Sequence, residues 1–147
     1  MNKISAFAGG LAGACSLTLL HEIARRVDSD APRMDLLGME AASKGLSAVH
    51  LKTPSKDKLF TWTMIGDMIG NAMYYSAAAV GDKKQVWQKG ALLGLSAGLG
   101  AVYLPKPLGL DEKPATRTSK TKAMTIGLYL IGGLVAAATI NLLNKKS

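Results

Sequence analysis

The chain has 147 residues, 48% hydrophobic and 19% charged, with 16 glycines, one cysteine and a formal net charge of +8. That length allows one domain; the apolar fraction excludes a disordered chain, and a single cysteine excludes a disulfide framework or an all-thiolate metal site. The mean hydropathy of +0.17 is middling, but the apolar residues gather in four long blocks with the charges between them.

The first block runs from Ile4 to about Ala24 and carries no charge before Glu22. It approaches the ~20 residues that cross a ~30 Å hydrocarbon core as a helix. Lys3 and the A-G-A-C ending at Cys15 outline a lipoprotein signal. However, Ala12 stands where that signal needs Leu, and the apolar run continues to Leu20. The block is therefore expected to be a retained span, with Cys15 a small buried side chain.

Past its end, His21, Glu22, Arg25, Arg26, Asp28, Asp30, Arg33 and Asp35 crowd into fifteen residues. Arginines can grip a lipid phosphate and aspartates a divalent cation. The bland alternative is a self-satisfied salt-bridge cluster on a helix end, since His21–Arg25 and Glu22–Arg26 are i,i+4 neighbours. A zinc-protease pair is absent, because Arg25 replaces the second histidine, and no calcium-loop spacing is present, so no metal site is expected. From about 31 to 49, Asp30 as cap, Pro32 in the first turn and recurring apolar residues predict an amphipathic helix lying at the membrane interface, with Glu40 and Lys44 as an i,i+4 pair. His50 at its end reads as a headgroup-level surface residue.

The second block, 59–80, holds one charge, Asp67. It lies about 12 Å into the span at 1.5 Å per residue. A carboxylate there costs several kcal/mol unless protonated, paired or wet, which makes it a functional candidate. Thr63, Asn71 and Tyr74 share its helical face. Counting equal depth on straight neighbouring spans brings Ser16, Ser96 and Tyr129 to the same layer. The alternative is a hydrogen-bonded Asp that only fixes packing. The third block, 86–104, and the fourth, 123–143, complete an all-α, integral-membrane four-helix bundle in a single domain, 1–147. The intervening 105–122 loop is expected to be an extended surface connector. Trp62, Trp87, Tyr103 and Phe60 near block ends fit an aromatic belt.

Four spans put Lys3, Lys83, Lys84, Lys89, Lys145 and Lys146 on one side, six cations, against twelve in the two long loops. The positive-inside rule then places both loops in the cytoplasm and both termini outside, in a cell or inner membrane, with anionic headgroups as the partner of the loops. No nucleic-acid motif accompanies the charge.

Helices in lipid associate through small residues four apart. Gly9 and Gly13, Gly66 and Gly70, and Gly90, Gly94 and Gly98 supply them on the first three spans. On the fourth, Gly132 and Gly133 are each followed at i+4 by alanine. A homo-oligomer or a larger membrane partner is expected from these stripes.

There is no P-loop, dinucleotide fingerprint, catalytic triad or haem pair, so neither catalytic residues nor a cofactor are expected. The leading expectation is a non-catalytic accessory, scaffold or interaction subunit. The first alternative is a small proton- or cation-coupled transporter or channel using Asp67; the second is a lipid-binding or lipid-modifying enzyme using residues 21–35. Four spans with one membrane carboxylate resemble the general plan of small multidrug transporters. That resemblance ends at the plan, because the carboxylate is in span two and no motif of that group is present.

Overall fold

A computed structural model describes residues 2–145. Lys146, counted above among the cations, lies outside them. The described chain is all-helical, 81% helix, with no strand. Its elements are α1 (Lys3–Val27), α2 (Met34–Ala48), α3 (Lys56–Ser76), α4 (Val86–Tyr103), the four-residue α5 (Lys113–Thr116) and α6 (Ser119–Lys145), with short 3-10 turns at Ala77–Ala79 and Lys83–Gln85.

Two helices, α1 and α6, are long and apolar enough to cross a membrane, with mean hydropathies of 1.4 and 2.0 over their best windows. By the same measure α3 and α4 fall short. Lys56, Asp57, Lys58, Asp67 and Asn71 lower α3, and the 18-residue α4 spends its first turns on Gln88 and Lys89. Length and composition therefore establish two candidate spans rather than the four expected.

The helices alternate in direction. At one end the Ser5 hydroxyl donates to Asn144 Oδ1 at 3.0 Å, and Ala78, Ala79, Val86, Ala137 and Ile140 cluster with Ala6. The opposite end carries both long loops. α6 packs between α4 and α1, and α1 packs on α3, while α3 and α4 touch little beyond their connecting turn. The assembly is thus an open row, α4–α6–α1–α3, curled but unclosed.

Small residues face inward. Gly9, Gly10, Gly13 and Ala14 of α1, Gly90, Gly94 and Gly98 of α4, and Gly132, Gly133, Ala136 and Ala137 of α6 are buried. Backbones meet there: a Cβ on Gly13 would lie 2.6 Å from the Gly132 carbonyl, and one on Gly94 2.7 Å from that of Tyr129. The line on α4 is therefore used inside the chain, against α6. Gly66 and Gly70 depart from expectation, since a Cβ on either would meet nothing. On α3 the contact face carries Ala72 and Tyr75 instead, and the Ala72 carbonyl abuts Gly10.

α2 starts at Met34, later than Asp30 and Pro32 imply. Asp28 takes the Asp30 N–H at 2.9 Å in a turn ahead of the helix, so Asp30 is not the cap; the N-cap is Arg33, without a side-chain bond. The Glu40–Lys44 pair forms at 2.7 Å. α2 ends with His50 exposed at φ 59°, a left-handed position usually given to glycine. Nor is 105–122 an extended connector. It turns at Leu110 N–H to Pro105 O (2.9 Å), forms α5 and docks on the first loop. Arg33 N–H reaches Pro114 O at 2.8 Å, Asp111 N–H reaches Glu40 at 2.9 Å and the Thr121 hydroxyl donates to Asp30 O at 2.7 Å.

Candidate functional site

One turn before the end of the apolar part of α1, the His21 Nδ1 lies 3.0 Å from the Leu17 carbonyl. A carbonyl only accepts, so Nδ1 carries the hydrogen and the neutral ring keeps its lone pair on Nε2. That Nε2 is buried without a protein partner, as are the hydroxyl oxygens of Thr18 and Thr63. The ring meets Tyr129 edge to face, centroids 5.6 Å apart.

These atoms line a small, partly open cavity of about 50 Å³ among α1, α2, α3 and α6. His21, Thr18, Glu22 and Arg25 line it from α1, Asp35 and Gly38 from α2, Thr63 and Asp67 from α3, and Tyr129 from α6. The space is enough for a few waters, and buried polar atoms without protein partners are where ordered water is expected. Sequence reasoning kept residues 21–35 and the Asp67 stripe apart as two sites; the fold brings His21, Glu22, Arg25 and Asp35 of the first and Thr63, Asp67 and Tyr129 of the second to one cavity. His21 belongs with Asp67, not with the salt bridges.

Salt bridges form the rim. Glu22 holds both Arg25 (2.6 Å) and Arg26 (2.8 Å), and Arg33 grips Asp35 with two bonds, at 2.9 and 2.7 Å. Asp28 pairs with Lys120 at 2.5 Å, and Asp30 with Arg117 at 3.8 Å. The acids of residues 21–35 are thus satisfied within the protein. Burial opposes ionisation of Asp35, but the Arg33 hydrogen bond and the charges of Arg33 and Arg25 outweigh it and hold the carboxyl below its usual range. The hydrogen bond to Lys120 does the same for Asp28 and raises the Lys120 ammonium in return. Among the described residues no group of three or more His, Cys, Asp and Glu is placed to hold a metal ion.

Asp67 is not sealed in. It is exposed on α3 and, with Gly38 of α2 opposite, lines this cavity and two wider grooves. One groove, about 510 Å³, opens between α3 and α4 where the row fails to close, and Asn71, Tyr74, Ser96 and Tyr129 line it too. The other, about 660 Å³, runs between α2 and α3 along Trp62 and Gly66. Asp67, Ser96 and Tyr129 share the α3–α4 groove. Ser16 does not join them: Leu17, Thr18 and His21 occupy that level on α1, because α1 extends to Val27. The Tyr74 hydroxyl bridges to Leu93 O at 3.2 Å.

Tyr75 escaped sequence reasoning. Fully buried, it donates to Tyr129 O at 2.8 Å and fills the space over Gly132. Its neighbour Tyr74 drew attention by helical phase, although Tyr75 lies on the packed face. Cys15 is exposed, not buried, with its sulfur 3.8 Å from that of Met68.

Compared with protein-family models, curated proteins and solved structures, the chain matches none.

Proposed function

We propose that this chain is a small polytopic membrane protein that binds a small cation or a proton at Asp67 and moves it through the α3–α4 groove. The membrane part of the reading rests on an inverted side-chain distribution. Glycine and alanine fill the interior while Ile4, Phe7, Leu11, Ile65, Ile69, Met73, Leu92 and Leu99 point outward. Water penalises that arrangement and lipid favours it. In this reading α3 and α4 also cross the bilayer, and α2 caps the cytoplasmic end.

The observation that carries the binding role is Asp67 itself, an accessible carboxylate in no ion pair among the described residues, placed where three cavities meet. Asn71, one turn along α3, hydrogen-bonds this carboxylate but supplies no countercharge. In proteoliposomes holding a trapped pH-sensitive dye, the wild type is expected to dissipate an imposed gradient of protons or small monovalent cations. Asp67→Asn should abolish the flux while eluting as the same species in gel filtration. Equal flux in the variant overturns the reading.

One observation favours an accessory role beside it. Gly66 and Gly70 present a small-residue face where, among the described residues, an added Cβ would meet nothing. Gly70→Leu would then shift the protein to a smaller complex on native gels without altering Asp67-dependent flux.

A further inference from the structure

The cavity and the α3–α4 groove adjoin, since Met34, Gly38, Asp67 and Tyr129 line both. The two compartments differ in chemistry. Along the groove Leu37, Ala97, Ala101, Leu104 and Leu108 form an apolar strip beside Asn71, Tyr74 and Ser96. The cavity mixes apolar walls with polar atoms that have no protein partner. His21 Nε2 offers a lone pair, and Asp67 and the Thr18 and Thr63 hydroxyls can all accept. Arg25 gives Nε and Nη2 to Glu22 at 2.6 and 2.8 Å, and its Nη1 stands 4.0 Å from Asp35 in an ion pair. A carboxylate without a countercharge and a histidine lone pair facing one cavity complement a cation that carries N–H groups.

Resting on the Asp67 reading above, we propose that the site takes a primary alkylammonium ion, its –NH₃⁺ head in the cavity against Asp67, His21 Nε2 and the two threonines, its apolar chain along the α3–α4 groove. About 50 Å³ admits an ammonium head, which is close to water in size. A trimethylammonium head is larger and has no N–H to give. The other charged groups facing the cavity, Glu22, Arg25 and Asp35, are engaged with one another and with Arg26 and Arg33.

The test is calorimetric titration of the whole chain in nanodiscs of phosphatidylcholine and phosphatidylglycerol, which contain no primary amine. Hexylammonium, hexyltrimethylammonium and hexanol are the probes. Hexylammonium is expected to bind at least tenfold more tightly than either of the others. His21→Phe should weaken it at least tenfold, and His21→Gln, which keeps an acceptor, should weaken it less. Thr63→Val preserves volume and guards against misfolding; one lost hydrogen bond there predicts roughly 2–10-fold weaker binding. Equal affinity for the quaternary ion, or unchanged binding in both His21→Phe and Thr63→Val, overturns the inference. If Asp67→Asn abolishes flux while those two variants bind as wild type does, the cation site stands and the primary-amine assignment falls. If Asp67→Asn leaves flux intact, the underlying reading falls as well.

Discussion

At the scale of single residues, the structure sorts groups that look alike on paper. Asp35 and Asp67 are both carboxylates lining the cavity, but Asp35 is 11% exposed and gripped by Arg33, whereas Asp67 has no cation beside it. Because the folded pKa of Asp35 is depressed, the Arg33 pair stabilises the protein above the unfolded value of about 3.9 and ceases to do so as pH falls through the folded value. Asp28 with Lys120 has the same sign. In detergent the melting temperature is expected to hold between pH 7 and about 5 and to drop below about 4. Asp35→Asn should melt lower at neutral pH with a shallower acid drop, and an unchanged drop would remove the pair from the account. Asp67 announces itself in the sequence because a lone charge in an apolar run is rare. His21 was legible as a residue but not as a role. Its orphaned Nε2 follows from the Leu17 carbonyl and the packing of α3 and α6, which no local spacing encodes.

At the scale of elements, glycine spacing marked most of the packing faces correctly and failed on α3. A four-residue repeat shows that a helix has a smooth side, but not which neighbour comes to it. On α4 and α6 the smooth sides meet each other; on α3 the side with Tyr75 and Ala72 was taken instead, because the Tyr75 ring fits over Gly132 and its hydroxyl finds the Tyr129 carbonyl. Substitutions should divide accordingly. Gly94→Leu drives a side chain into the α6 backbone and is expected to cost on the order of 3 kcal/mol or more, through overpacking. Gly66→Ala and Gly70→Ala should be neutral or slightly stabilising, by up to about 1 kcal/mol, since alanine is the better helix former. Unfolding monitored by circular dichroism in mixed micelles checks both. The start of α2 was misplaced because Asp30 and Pro32 resemble a cap and first turn, although they belong to the turn that receives α5.

At the scale of the whole molecule, the alternating direction of the four long helices was legible from block length alone. The open row was not, because closure depends on which faces the helices choose. Two long loops on one end and the 77–86 turn on the other follow from that alternation, and the loops' cations set the expected orientation. In a Cys15→Ala background, an impermeant maleimide applied to intact cells should label Asn2→Cys. It should reach Thr53→Cys only after the membrane is opened, and the reverse pattern would invert the topology. The row also bears on biosynthesis. α6 is the last long helix made, yet it is the principal neighbour of both α1 and α4, and residues 28–118 separate it from α1. Until α6 leaves the ribosome, α1 has only α3 for company, and the glycine line of α4 has nothing to meet. The row is joined by its final piece, so a chain stopped before Ser119 would leave a nascent set of helices in which the cavity floor, Tyr129, does not yet exist.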